Sequence, residues 1–121
     1  MNLHRLLEAR AAAGRPVTVG LIGAGKFGTM FLAQVRNRPG MHLVAVADLD
    51  CGRARKHLGQ AGWPAEQFAA ASLDAALKSG GTLVTERADR LLGCGAIEVI
   101  IEATGDPASG IRHALMAIAQ G

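Results

Sequence analysis

Aromatic side chains are scarce in this chain, which has three phenylalanines, one tryptophan and no tyrosine among 121 residues. Proteins that hold single-stranded nucleic acid stack its bases on such rings, beside a run or patch of cations. The net charge here is only +3, and its cations are scattered without a basic run. The composition therefore excludes a nucleic-acid-binding function and indicates no more than a mild attraction for phosphates.

The chain also has few cysteines and lacks long apolar runs. Cys51 and Cys94 are far apart in sequence, so that neither a disulfide framework nor a metal site is expected. No apolar run approaches the roughly 18 residues of a membrane span, and residues 1–16 lack the apolar stretch of a signal peptide. We expect a cytoplasmic protein that neither binds a metal ion nor inserts into a membrane.

Half of the residues are hydrophobic and 19% are charged, which is typical of a globular domain with a buried sheet. Residues 3–13 carry leucines at helical spacing, and residues 17–22 form a short apolar run typical of a strand covered on both faces. A helical stripe over 26–36 and a second apolar run over 42–47 follow. Strand, helix and strand within about 30 residues predict a βαβ unit with parallel strands.

The same alternation continues in the rest of the chain. Its predicted elements are a helix over 51–59, an irregular surface loop over 61–71, a helix capped by Ser72 and running to Lys78, a strand over 82–85, a helix over 86–92, a strand over 97–102, and a last helix from Asp106-Pro107 to about Gln120. This order predicts a Rossmann-type α/β fold: a doubly wound parallel sheet in a three-layer α/β/α arrangement. We expect residues 1–16 to be a helical lead-in and 17–121 the domain itself, with the sequence stopping where a fifth strand would come next.

The most informative motif is Gly23-Ala24-Gly25-Lys26-Phe27-Gly28, a G-x-G-x-x-G between the first strand and its helix. In this motif the first glycine makes the turn, the second lets the backbone approach a pyrophosphate, and the third lets helix and strand pack closely. The free amides at the start of the helix then favour negative charge. The motif predicts a dinucleotide site that includes Lys26 and Phe27. The side chain of Lys26 could steer a phosphate, but we favour a contribution from its backbone amide alone.

Asp48 ends the second strand, 20 residues after Gly28, where an acid binds the adenosine ribose of a dinucleotide. We therefore expect Asp48 and the adjoining Leu49 at the cofactor. A carboxylate repels a 2′-phosphate and so slightly favours NAD. Arg53 and Arg55 follow within reach of such a phosphate, although they would equally suit a solvated helix face. The choice between NAD and NADP stays open. Asp50 is expected to cap the 51–59 helix.

The end of the fourth strand supplies the other half of the expected site. Ala103, Thr104 and Gly105 follow this strand at the carboxyl edge of the sheet, where open α/β sheets bind their ligands, so we expect them to contact the nicotinamide ribose. For Glu102 we favour a structural carboxylate hydrogen-bonded to nearby backbone, since an isolated charge in a buried strand is costly. No residue of the chain is predicted to be catalytic.

The segments VTVGLIGAGKFG, LVAVADLD, TLVTERADRLL and IEVIIEATGDPASGIRHALMAIAQG together resemble the N-terminal NAD(P)-binding domain of homoserine dehydrogenase-like oxidoreductases. The resemblance is to a subgroup whose longer chains carry a C-terminal SAF-type domain. It implies a dehydrogenase that binds its cofactor here and acts on a small polar hydroxy or carbonyl substrate through a second domain. Catalytic residues of that second domain have no counterpart in these 121 residues.

Two other functions remain open at this point. The same site would serve a regulatory module that senses NAD(H) or another nucleotide without catalysis, because fold does not settle function. It would also serve a sugar dehydrogenase of the glucose-fructose oxidoreductase type, and we find no downstream lysine-proline motif that would test this alternative. The substrate and a homo-oligomeric state are likewise left open.

Overall fold

Five helices and four strands alternate along the part of the chain that this computed structural model describes, which is residues 3–23, 26–36 and 40–102. In chain order they are α1 (Leu3–Ala12), β1 (Val17–Ile22), α2 (Lys26–Arg36), β2 (Met41–Ala47), α3 (Cys51–Gln60), α4 (Leu73–Ser79), β3 (Leu83–Thr85), α5 (Ala88–Leu92) and β4 (Val99–Glu102), with a short 3-10 helix over Ala65–Phe68 between α3 and α4. The predicted helix after Asp106 lies outside the described residues.

All four strands are parallel and form one sheet in the order β3-β2-β1-β4. The chain first winds from β1 outward to β3 and then crosses back, so that β4 pairs with the other side of β1. This reversal is the defining feature of a doubly wound sheet. The predicted Rossmann-type α/β fold is therefore confirmed.

Helices cover both faces of the sheet, because strands buried on both sides expose apolar residues in both directions. On one face, Leu7 of α1, Leu32 of α2 and Leu58 of α3 pack against inward-facing residues of β1 and β2. On the other, Ala76 of α4 and Leu91 of α5 pack against Val44, Ala45 and Leu83. The chain thus has the predicted three layers, with β1 and β2 at their centre.

The segment 61–71 differs from the prediction of an irregular surface loop. Trp63 is buried, and its indole N–H donates to the Leu32 carbonyl oxygen of α2 at 3.0 Å. A large ring whose polar group finds a backbone acceptor is well suited to fill a core. The surface-loop prediction is wrong for Trp63, which closes the core next to α2.

Two predicted boundaries shift by two residues because local turns interrupt the elements. The fifth helix begins at Ala88 instead of 86, since the Arg87 amide donates to the Thr85 hydroxyl at 3.1 Å and holds a turn there. The fourth strand begins at Val99 instead of 97, since the Ile97 amide donates to the Cys94 carbonyl. Side-chain caps are local hydrogen bonds that the residue type indicates, and the predicted caps Asp50 and Ser72 are confirmed.

An ion pair ties α1 to the beginning of β4. Arg10 contacts both carboxylate oxygens of Glu98, with Nη2 at 2.6 Å from Oε1 and Nη1 at 3.2 Å from Oε2. The hydrogen bond from Arg10 holds the pKa of Glu98 below its usual range, against the opposing effect of burial. A carboxyl with a lowered pKa in the folded state stabilises the fold above its ordinary pKa, and this contribution is lost as the pH falls through the lowered value.

We expect Glu98→Gln to lower the free energy of unfolding at neutral pH by less than about 1 kcal/mol, because both partners are partly exposed. The difference from the unsubstituted chain should shrink in acid, as the pH falls below about 4.3, the ordinary pKa of glutamate, and then through the lowered pKa of the folded state. Urea denaturation at neutral pH and at a series of acid pH values measures it. Glu86→Gln, at an exposed glutamate, is the matched control. A difference for Glu98→Gln that persists unchanged in acid would contradict this account.

Candidate dinucleotide-binding site

The turn that follows β1 has the geometry expected of the first glycine of the motif. Gly23 comes directly after the strand and has φ +86°, in the left-handed region that favours glycine. Its amide donates to the Ala47 carbonyl oxygen at 2.8 Å, which fixes the turn against the end of β2. Only residues 23–25 separate β1 from Lys26, the first residue of α2. The chain therefore reverses sharply at the carboxyl edge of the sheet.

The rest of the motif is described only in part. Ala24 and Gly25 lie outside the described residues, and for Lys26, Phe27 and Gly28 the structure gives the helical backbone but not its surroundings. Helix α2, which has 11 residues, begins at the same edge of the sheet as Gly23. The first amides of a helix lack intrahelical partners and carry partial positive charge. The amino end of α2 thus has the polarity that a phosphate requires.

Asp48 lies at the same edge, one strand away. It follows β2, and its amide donates to the Thr85 carbonyl of β3 at 2.9 Å. The preceding residue, Ala47, accepts the amide of Gly23. Asp48 and the glycine turn are therefore on neighbouring strand ends, which is the placement the sequence predicts for them.

The Asp48 carboxylate is buried and engaged within the chain. Its side chain is only 2% exposed. The Oδ1 atom accepts from the Asp50 amide at 2.9 Å and from Nη2 of Arg53 at 2.9 Å. Sequence reasoning treats Asp48 and Arg53 as separate ligands, whereas the structure brings them together as an ion pair.

Helix α3 explains why Arg53 can reach back to Asp48. Asp50 caps this helix by accepting the Arg53 amide at 3.0 Å, so Arg53 lies in the first turn above the end of β2. Its side chain remains 53% exposed. Arg55, two residues on, is also exposed. Of the two arginines considered for a phosphate, only Arg53 has a described contact with the site.

Leu49 is unusual among the apolar residues of the described ranges. It is 90% exposed, next to a buried aspartate and at the carboxyl edge of the sheet. Among the described residues, Leu92 of α5 is the other large hydrophobic side chain that is exposed, at 66%. An isolated exposed leucine is ordinary in a soluble protein, but Leu49 stands where the sequence predicts a cofactor contact.

The fourth strand ends level with the first, since Ile22 of β1 pairs with Glu102 of β4. The predicted contacts Ala103, Thr104 and Gly105 follow directly but lie outside the described residues. Glu102 itself is exposed, so the desolvation cost expected from a buried strand does not arise for it. The chain passes from β3 to β4 across β1 and β2, and in doubly wound sheets ligands bind in a crevice at such a reversal, here between the ends of β1 and β4.

The structure also contains a cavity that sequence reasoning missed, of about 680 Å³. Pro16, Arg36, His42, Trp63 and Gly80 are among its lining residues. Pro16 precedes β1, His42 lies near the beginning of β2, and Gly80 precedes β3. The cavity therefore lies at the amino edge of the sheet. It is separate from the edge that carries Gly23 and Asp48, and no predicted site residue lines it.

Within residues 3–23, 26–36 and 40–102, no cluster of three or more histidine, cysteine or acidic side chains could hold a metal ion. Cys51 and Cys94 are free thiols. None of the helices described is both long enough and apolar enough to cross a membrane. No protein-family model matches the chain, and comparison with curated proteins finds no match either.

Proposed function

We propose that this chain binds NAD or NADP as the cofactor-binding domain of an oxidoreductase. The observation that carries the proposal is the joining of two predicted features at one sheet edge. The Gly23 turn donates to the end of β2, and Asp48 is the next residue of that strand end. A diphosphate at the turn and a ribose at the carboxylate are adjacent parts of the same dinucleotide.

The diphosphate half of the proposal depends on backbone groups. The tight turn at Gly23 leads within three residues into α2, whose first amides point to the carboxyl edge. Amides in this position bind phosphate oxygens without a charged side chain. The net charge of +3 adds a weak general attraction for a dianionic ligand.

The adenosine half depends on Asp48 and Leu49. A carboxylate accepts hydrogen bonds from ribose hydroxyls, and an apolar side chain beside it offers a surface to the flat face of adenine. Leu49 has that surface available, because nine-tenths of the side chain is exposed. Covering it with a base would recover the hydrophobic free energy that the chain forgoes without its ligand.

The nicotinamide half would lie in the crevice at the ends of β1 and β4, next to Ala103, Thr104 and Gly105. The nicotinamide would carry the hydride, and this domain would bind and orient it. Following the resemblance in sequence, we assign the partner reaction to a small polar hydroxy or carbonyl substrate of the homoserine dehydrogenase-like kind. The free thiols Cys51 and Cys94 suit the reducing conditions of the cytoplasm, where we place the protein.

Isothermal titration of the chain with NADH and with NADPH tests the proposal. We expect saturable binding of at least one of them, and about tenfold weaker binding after Leu49→Ser because the apolar contact with adenine is lost. Leu92→Ser removes the other exposed leucine and is the matched control. A folded chain that binds neither nucleotide, or equal losses from both substitutions, would contradict the proposal.

A further inference from the structure

The cavity at the amino edge of the sheet lies apart from the dinucleotide site proposed at the carboxyl edge. Its volume of about 680 Å³ is within the range of cavities that hold small-molecule ligands. The carboxyl ends of α2 and α4, the beginning of β2 and the segment that contains Trp63 line it together. A ligand bound there would contact four segments that are distant in sequence.

The charged side chains that line this cavity are cationic. Arg36 ends α2, and Lys78 lies in the last turn of α4. Among the described residues that line the cavity, none is an aspartate or a glutamate. In the described part of the chain, neither Arg36 nor Lys78 takes part in an ion pair. Their positive charges are therefore available to an anion.

The carboxyl end of a helix repels anions, because its carbonyls carry about half a unit of negative charge. The two unit charges of Arg36 and Lys78 exceed the two half charges of the helix ends beside them. Carbonyls beyond α4 are also engaged within the chain. The Gly80 carbonyl accepts from Nε2 of Gln67 at 2.8 Å, and Nε2 of His42 lies 2.7 Å from the Gly81 carbonyl oxygen. The cavity thus keeps a positive balance of charge.

Much of the remaining lining is apolar. Its buried or half-buried apolar residues are Val35, Met41, Leu43, Trp63 and Leu77. The indole N–H of Trp63 already donates to the Leu32 carbonyl oxygen, so this ring offers the cavity an apolar surface. A ligand with an apolar body would remove that surface from water.

The cationic and apolar parts of the lining are close together. The Arg36 guanidinium lies against Gly62, where an added Cβ would be 2.9 Å from Nη1. Gly62 directly precedes Trp63 in the chain. A single small molecule can therefore place an anionic group at Arg36 while its apolar body packs beside the indole.

We propose that this cavity is a second binding site, for a small organic anion with an apolar body. The guanidinium of Arg36 binds a carboxylate or phosphate group through paired N–H donors, and Lys78 adds a point charge. The apolar body packs on the lining around Trp63. Because the cavity and the dinucleotide site are at opposite edges of the sheet, the inference does not depend on the proposed function.

Isothermal titration with 3-phenylpropanoate and with phenyl phosphate tests the inference and distinguishes the two anionic groups. We expect saturable binding of at least one of them, with a Kd on the order of 1 mM. Neutral 3-phenylpropanamide lacks the charge and propanoate lacks the ring, so each should bind at least about fivefold more weakly than 3-phenylpropanoate or not at all. The inference is overturned if neither phenyl anion binds, or if the neutral amide binds as tightly as the tighter anion.

Two substitutions locate the anionic group. Arg36→Gln should weaken binding of the tighter anion about fivefold, and Lys78→Gln about threefold, because each removes one exposed cation. Arg55→Gln, which removes an exposed cation of α3 outside the cavity lining, is the matched control and should change nothing. Equal losses from Arg36→Gln and Arg55→Gln, or no loss from either lining substitution, would overturn the inference.

Nuclear magnetic resonance of the ¹⁵N-labelled chain places the bound anion. The backbone amide of Gly80 and the side-chain amide of Gln67 should shift with the same affinity that calorimetry gives, because both residues line the cavity. The amide of Gly23 at the carboxyl edge should stay unchanged. Shifts at Gly23 without shifts at Gly80 and Gln67 would show that the anion binds at the other edge, which overturns the inference.

Discussion

Replacing Gly40 by alanine is expected to lower the free energy of unfolding by about 3 kcal/mol or more. Gly40 precedes β2 with φ +88°, which a residue with a Cβ rarely adopts. A Cβ there would overlap the carbonyl oxygen of Leu7 and lie 2.8 Å from its Cα. The backbone of α1 therefore passes directly over this glycine. Because Leu7 is buried at this contact, relief by lifting α1 would expose a core side chain.

Gly14→Ala is the matched control for the Gly40 substitution. Gly14 has a similar φ of +70°, but nothing lies within 4 Å of the added Cβ. Its substitution should cost only the backbone conformation, about 1 kcal/mol. Urea denaturation followed by circular dichroism gives both values. Equal losses at the two positions would show that the contact with α1 contributes nothing.

Replacing Gly25 by valine is expected to weaken NADH binding at least about 100-fold while leaving the fold intact. The second glycine of the motif lets the backbone come within hydrogen-bonding distance of a pyrophosphate, and a branched side chain would occupy that space. Gly25 is the second glycine of the motif and lies in a short connection, since only residues 23–25 lie between β1 and α2. Titration of the variant with NADH measures the loss.

Gly95→Val is the matched control for the Gly25 substitution. Gly95 lies in the turn before β4, at the amino edge of the sheet, and a Cβ there meets nothing within 4 Å. Valine at this position should leave NADH binding unchanged. If the Gly25 variant binds NADH normally and its circular dichroism is unaltered, the diphosphate does not bind at the glycine turn. The proposed function would then lose its main support.

The strands and helices were predictable because their signals are local. The apolar runs that end at Ile22 and Ala47 are buried strands at the predicted positions, and Asp50 and Ser72 cap helices as their side-chain chemistry predicts. The parallel sheet also follows from sequence, because a chain of alternating strands and helices favours it. The positions of Gly23 and Asp48 at one sheet edge follow from that topology.

Contacts between distant residues were not predictable from a single sequence. Trp63 lies in the segment 61–71, for which the sequence predicts an irregular surface loop, and only the packing of α2 reveals its acceptor at Leu32. The ion pair between Arg10 and Glu98 spans 88 residues. The contact of Arg53 with Asp48 depends on the angle at which α3 leaves β2. Each of these depends on how elements are oriented in space, which hydrophobic periodicity does not encode.

The burial of Trp63 gives the molecule a built-in optical probe. It is the chain's single indole, with no tyrosine to add a second emitter, and its ring is anchored beneath α2, toward the sheet edge opposite Gly23 and Asp48. The wavelength of its emission should therefore report whether the interior is dry or wetted. Reduced nicotinamide absorbs where indole emits, so its arrival would dim that emission by energy transfer without shifting its colour. This single native fluorophore can thus distinguish unfolding of the chain from binding of the reduced nicotinamide without any added label.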